Sequence, residues 1–202
     1  MQIVCLDLEG VLVPEIWIEF SRRAGIPEWS KTTRDEPDYD KLMRGRIEIL
    51  DRCKFRLPDI QAVIEDMIPL PGAREFIEGL RERFQVVVLS DTFYEFAAPL
   101  MHQLGWPTLF CHRIQTDANG RVVGYHLRMH DQKRAAVAAF KGLNFKTIAA
   151  GDSYNDTAML TEAHAGILFC PPANVTAEFP QFAVTRSYEE LRAAICEVSA
   201  NI

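Results

Sequence analysis

Apolar and polar positions along this chain follow two different periods. Val4-Cys5-Leu6, Val86-Val87-Val88-Leu89 and Thr147-Ile148-Ala149-Ala150 are short apolar runs without alternation. Such runs read as strands buried on both faces, the pattern of a parallel sheet. Elsewhere the apolar positions recur every three or four residues. Residues 15–24 carry Ile16, Trp17 and Phe20 on one stripe and stop at Gly25. Residues 38–52 carry Leu42, Met43, Ile47 and Leu50, and residues 58–68 open on Pro58, as helices often do. After the break at Pro69-Leu70-Pro71-Gly72, helix and strand patterns alternate: helix 72–83, strand 85–90, helix 93–104, helix 132–142, strand 146–150, helix 154–163 and strand 166–169. Asn119-Gly120, between 114–116 and 121–127, predicts a hairpin with a type I′ turn. Ser187-Tyr188-Glu189-Glu190 is a capping-box pattern that opens a last helix.

The alternation predicts an α/β fold, a Rossmann-like doubly wound parallel sheet with helices on both faces. Residues 15–69 are too many for a loop and read as a small helical cap inserted after the first strand; residues 1–14 and 70–202 then form the catalytic core. The 202 residues suffice for one core plus such an insertion. In open parallel sheets, ligands bind outside the carboxyl ends of the strands. The three apolar runs end in Asp7, Ser90 and Asp152, so strands lying side by side would deliver all three to one crevice.

Composition narrows the partners. A net charge of −6 without a basic stripe argues against nucleic acid and against an anionic membrane. An anionic substrate would have to be met by local cations. No apolar stretch approaches the ~20 residues of a membrane span. Asp7 and Glu9 interrupt the first apolar run, which is unlike a signal peptide. Five cysteines, an odd number without CxxC spacing, fit a reduced cytoplasmic setting.

Two strings carry chemistry. Asp7-Leu8-Glu9 puts carboxylates at i and i+2, on the same side of a strand. One could attack phosphorus and the other could protonate a leaving oxygen and later activate water. Gly10 permits the sharp turn that would follow. Alone, the string reads equally well as two surface acids. In Gly151-Asp152-Ser153-Tyr154-Asn155-Asp156, two carboxylates one helical turn apart suit an oxygen-seeking cation such as Mg²⁺. Alone, this string reads equally well as a capped helix start. Together they favour the metal. None of the five histidines has metal-ligand spacing, Trp17, Phe20 and Met43 read as cap core with one of them able to line a substrate pocket, and Cys5 reads as buried and inert.

Asp7-Leu8-Glu9, Ser90, Lys133 and Gly151-Asp152-Ser153-Tyr154-Asn155-Asp156 resemble the four ordered motifs of the haloacid-dehalogenase (HAD) superfamily of Mg²⁺-dependent phosphatases, over the whole chain. The cap after the first motif and the hairpin before Lys133 resemble the phosphoserine phosphatase branch. Leu6-Asp7-Leu8-Glu9-Gly10-Val11-Leu12-Val13-Pro14-Glu15 resembles the subgroup that also transfers phosphate to homoserine. The resemblance implies that Asp7 is the nucleophile and a metal ligand. Glu9 would be the acid/base and would offer its backbone carbonyl to Mg²⁺. Ser90 and Lys133 would hold the phosphoryl group, and Asp152 would ligate Mg²⁺ with Asp156 behind it. Glu15 and Arg46 would take the ammonium and carboxylate of a small phosphorylated amino acid, with Arg44 a rival for Arg46. Asn155 and Asp91 complete the implied substrate set, and a homodimer is compatible with the resemblance.

The chain departs from the family pattern at Glu9, where Asp is usual, at Gly10, and at Ser90-Asp91-Thr92, where the phosphoserine family has Ser-Gly-Gly. These bear on rate and acceptor rather than on reaction class. The competing readings are a phosphatase for another small metabolite, a receiver-like signalling domain and an inactive phosphoamino-acid-binding protein. A receiver carries its acceptor on a central strand without a cap, unlike Asp7.

Overall fold

The computed structural model describes residues 1–32, 35–36 and 38–202. The described strands are β1 (Gln2–Leu6), β2 (Gln85–Phe93), β3 (Thr108–Thr116), β4 (Val122–His126), β5 (Lys146–Gly151), β6 (Ala165–Phe169) and β7 (Ala183–Thr185). They form one sheet in the order β4-β3-β2-β1-β5-β6-β7, parallel except where β4 returns antiparallel along β3. The fold is thus the doubly wound α/β sheet that the apolar runs predict. Val4 faces Val86 on one side and Ile148 on the other, so the three runs are indeed adjacent, with β1 between β2 and β5.

The helices are α1 (Ile16–Ala24), α2 (Tyr39–Arg52), α3 (Leu57–Glu65), α4 (Ala73–Arg81), α5 (Tyr94–Gln103), α6 (Gln132–Gly142), α7 (Thr157–Glu162), α8 (Ala173–Glu178) and α9 (Tyr188–Ser199). Strand periodicity assigns the two faces. Ile3 and Cys5 pack with Val137 of α6 and Met159 and Leu160 of α7. Val4 and Leu6 point the other way, to Phe76 and Ile77 of α4 and Leu191 and Ile195 of α9. That second cluster runs on without a break into Ile16, Phe20, Trp29, Met43 and Ile60 of the helical insertion. Trp29 is fully buried and stacks on Phe20 at 4.6 Å, which pins the short 3-10 turn Pro27–Ser30 to α1. Gly25, at φ 69°, ends α1 in the left-handed conformation that glycine adopts at low cost. The insertion also leans on the hairpin: the Leu57 N–H donates to the Gly120 carbonyl at 2.8 Å, and Arg56 donates to the Asn119 carbonyl at 2.6 Å.

Several local expectations are corrected. β1 ends at Leu6, so strand parity does not bring Asp7 and Glu9 together; the loop beyond it does. β3 begins at Thr108, well before the expected 114. The hairpin turn is not type I′, because only Gly120 of the pair has positive φ. Instead the Gly120 N–H donates to the Asp117 carbonyl, and the Asp117 carboxylate accepts from the N–H groups of Asn119 and Arg121. The expected helix 154–163 is a 3-10 turn, Tyr154–Asp156, followed by α7. Only half of the capping box at α9 forms: Ser187 accepts from the Glu190 N–H, while the Glu190 carboxylate goes to the Arg186 N–H. α8 and β7 had no clear pattern in the sequence. Among the described residues no helix is long and apolar enough to cross a membrane.

Candidate active site

Asp7 follows the last residue of β1 and is 3% exposed. Its N–H donates to the Ala150 carbonyl of β5, which carries the sheet ladder one residue further. Lys133, in the first turn of α6 and also 3% exposed, donates to Asp7 Oδ1 and to Asp156 Oδ1, both at 2.8 Å. The other Asp156 oxygen accepts from the N–H groups of Asp152 and Ser153, at 2.9 and 3.1 Å. Asp156 is therefore spent on holding Lys133 and the turn, a supporting role. A Cβ on Gly151 would overlap the Asp156 side chain, so glycine there lets the carboxylate reach back under β5. Burial and the neighbouring Asp156 push the Asp7 carboxyl well above its ordinary range, against the pull of Lys133. Burial opposes the Lys133 charge, but Asp156, Asp7 and Asp91 outweigh it and hold the ammonium firmly protonated.

Carboxylate oxygens of Asp7, Asp152 and Asp156 lie within 4.8 Å of one another. Asp152 is pushed up to about 7 by burial, then by Asp156 and Glu15. Gly10, at φ 78°, brings its backbone so close that a Cβ would sit 2.5 Å from Asp152 Cγ. Crowded acids facing one lysine, on oxygen donors alone, fit a hard divalent cation. Asp7 and Asp152 could hold such an ion, since Asp156 is already engaged by Lys133 and two backbone N–H groups.

Glu9 lies on the tight loop in which the Gly10 N–H donates to the Val13 carbonyl at 2.8 Å. Its Oε2 accepts from the Ile16 N–H at 2.8 Å, at the start of α1. Burial first, and Glu15 second, push its carboxyl up to about 8. Glu15, at the N-terminus of α1, lines the same pocket. Across it stands Arg46 of α2, 8% exposed, with its guanidinium 4.5 Å over the Trp17 ring. One terminal nitrogen donates to the Lys31 carbonyl at 2.7 Å and the other contacts Met43 Sδ, leaving Nε as the one buried side-chain polar atom without a partner among the described residues. Burial lowers its pKa to about 10 even though Glu9 opposes the shift, so it stays charged. Arg44 lies on the outside of α2, exposed and paired with Asp40 at 2.7 Å, away from this pocket.

Ser90 and Asp91 of β2 and Asn155 of the 3-10 turn close the third side. Ser90 is buried, and its hydroxyl accepts from the Thr92 N–H at 3.2 Å. All the residues singled out in the sequence thus meet around one pocket of about 150 Å³ except Arg44, which points elsewhere, and Asp156, which sits beneath the floor. Sequence reasoning missed several others. Tyr39 and Thr92 also line the pocket, and buried His112 and Gln132 stand behind Asp91. Gln132, next to Lys133, and Thr92, in the Ser90-Asp91-Thr92 string, had a signal in the sequence. Trp17, read as core, is both core and pocket wall.

The haloacid dehalogenase-like hydrolase family model matches residues 1–164. Phosphoserine phosphatase ThrH of Pseudomonas aeruginosa is 60% identical over 200 residues, 99% of this chain and 98% of its own length. A phosphoserine phosphatase of Pseudomonas syringae pv. tomato is 60% identical over 199 residues, 98% of this chain and 84% of its own length. In fold alone, a solved phospho-aspartyl intermediate analogue of phosphoserine phosphatase is similar at a TM-score of 0.77 and 20% identity, over 97% of this chain and 98% of that chain. Alike in motif order, sheet topology and sequence along nearly its whole length, the chain belongs to the haloacid dehalogenase-like hydrolase family, in its phosphoserine phosphatase branch.

Proposed function

We propose that the protein is a Mg²⁺-dependent phosphomonoesterase that hydrolyses O-phospho-L-serine through a phosphoaspartate on Asp7, and that the same intermediate can pass its phosphoryl group to homoserine. The observation that carries the reading is the polarity of one pocket. Asp7 and Lys133 form its floor, and the charged Arg46, whose buried Nε has no partner among the described residues, lines its wall. The floor suits a phosphoryl group and Arg46 suits a carboxylate, the two anionic ends of one phosphorylated amino acid. The names of the two Pseudomonas relatives point the same way.

Asp7 attacks phosphorus in line with the serine oxygen. Lys133 and Ser90 hold the phosphoryl oxygens, offsetting the repulsion between a carboxylate and a phosphate dianion. Held at about 8, Glu9 is protonated at neutral pH and gives its proton to the departing serine oxygen. As a carboxylate it then takes a proton from water or from the homoserine hydroxyl, whose oxygen attacks phosphorus and frees Asp7. Asp7, Asp152 and the Glu9 carbonyl would hold Mg²⁺, which when bound supplies positive charge for the attacking carboxylate and the phosphoryl oxygens. Homoserine carries the same ammonium and carboxylate as serine, so Glu15 and Arg46 would orient donor and acceptor alike. Donor and acceptor would share Glu15 and Arg46, so the donor product would leave before the acceptor binds there.

The test is a phosphate-release panel with phosphoserine, phosphothreonine and an aryl phosphate, with Mg²⁺ or EDTA and with or without homoserine. Metal-dependent preference for phosphoserine, and O-phosphohomoserine appearing with homoserine, are expected. Full turnover in EDTA, or no preference among the esters, contradicts the reading.

A further inference from the structure

Asp91 has no part in the attack or proton transfers just described, yet its partly exposed carboxylate meets four side chains. Oδ1 faces Gln132 Nε2 at 3.3 Å and His112 Nε2 at 3.6 Å. Oδ2 faces Asn155 Nδ2 at 3.5 Å and Lys133 Nζ at 3.7 Å. The backing groups are buried: His112 is 3% exposed and Gln132 2%. His112 Nδ1 accepts the Arg128 N–H at 3.1 Å, so the neutral ring carries its proton on Nε2, directed at Asp91. The Gln132 amide also donates to the Ser90 carbonyl, which ties Asp91 to the phosphoryl-binding end of β2. From the insertion, the Tyr39 hydroxyl donates to the Asp91 carbonyl at 3.2 Å. On the far side, Ser153 Oγ donates to Asn155 Oδ1, which turns the Asn155 Nδ2 toward Asp91.

We propose that His112 and Gln132 are positioning residues that aim Asp91, and that Asp91 in turn fixes Asn155 and the Lys133 ammonium at the phosphoryl slot. The inference rests on the phosphatase reading above. Lys133 is drawn toward the floor by Asp7 and Asp156. Once Asp7 becomes an acyl phosphate it no longer attracts the ammonium as a free carboxylate. Asp91 then retains an opposing charge that keeps Lys133 aligned on the transferring group. A carboxylate serving this end must not swing into solvent, and the buried imidazole and amide prevent that.

The experiment is a double-mutant cycle on phosphoserine hydrolysis, with melting temperatures measured alongside: Asp91→Ala, His112→Leu and the double variant. Each single change is expected to lower kcat/KM by roughly tenfold or more, the scale of outer partners that orient a site. The double variant should lose no more than Asp91→Ala alone, since His112 acts only through Asp91. His112→Gln, which keeps a donor, should recover part of the activity. If His112→Leu fails to fold, His112→Phe, which keeps a planar ring and removes the donor, replaces it in the cycle. Additive losses would mean that the buried residues support the fold rather than Asp91, and would overturn the proposal. Wild-type kinetics in Asp91→Ala would overturn it as well. A wild-type enzyme without phosphoserine hydrolysis contradicts the phosphatase reading itself, an outcome visible before any variant is compared.

Discussion

Asp7 and Arg46 both line the pocket, one a buried acid and the other a buried cation, and each makes a separate prediction. Asp7→Asn keeps shape while removing the nucleophile, so kcat should fall by ~10³-fold or more. Its melting temperature should hold or rise, because burial and Asp156 already penalise the Asp7 charge. Steady-state kinetics and a thermal melt check both. Arg46→Ala should lower kcat/KM for phosphoserine by about 30- to 1000-fold while changing an ester without a carboxylate little. Glu15→Gln should show the same selectivity through the ammonium. Arg44→Ala should be close to neutral, since its exposed pair with Asp40 carries little energy. Equal losses on both esters would assign Arg46 to structure. At this scale Asp7, Asp152 and Lys133 were legible because each lies at a strand end or a helix start. His112 and Tyr39 were not, since their partners on β2 are distant in sequence and no local period marks such a meeting.

The turn from β5 into α7 does at the element scale what a single residue cannot. Asp156 bends back to accept two backbone N–H groups and the Lys133 ammonium, which the absence of a side chain at Gly151 allows. Gly151→Ala should therefore displace Asp156, cost on the order of 1–3 kcal/mol by overpacking, and reduce turnover with it. Chemical denaturation and kinetics on the same variant measure both; wild-type stability would remove Asp156 from this role. The pattern of elements was readable where periodicity was strong, as in α2, α6 and β5. It failed where tertiary contacts decide. The first half of β3 is strand because it pairs with β2, and β7 is strand because it pairs with β6. At the hairpin, Asp117 supplies its own carboxylate to the turn and displaces the I′ geometry that Asn-Gly suggests.

The molecule as a whole is acidic, and its acids concentrate where a cation is expected. Glu9 at about 8 and Asp152 at about 7 hold protons more tightly than the ordinary carboxyl near 4. A carboxyl raised on folding stabilises the fold fully below its unfolded pKa and loses that contribution as pH rises through its folded pKa. Metal-free protein should therefore melt at lower temperature as pH goes from about 5 to about 8. His164, depressed by burial, works in the opposite sense, but it is exposed and weakly placed. Because a cation needs these groups ionised, Mg²⁺ should raise the melting temperature more at the upper end of that range than at the lower. Scanning calorimetry at both ends, with and without Mg²⁺, checks the sign. The account stands or falls on covalent chemistry at Asp7. Phosphoryl-labelled O-phospho-L-serine should be mixed with enzyme and Mg²⁺, quenched in acid within a turnover, and the label located by peptide mapping. Label should appear on the peptide that holds Asp7, be lost on chasing with water or homoserine, and be absent in Asp7→Asn. Turnover of phosphoserine with no label trapped there at any time, or label retained in Asp7→Asn, would contradict it.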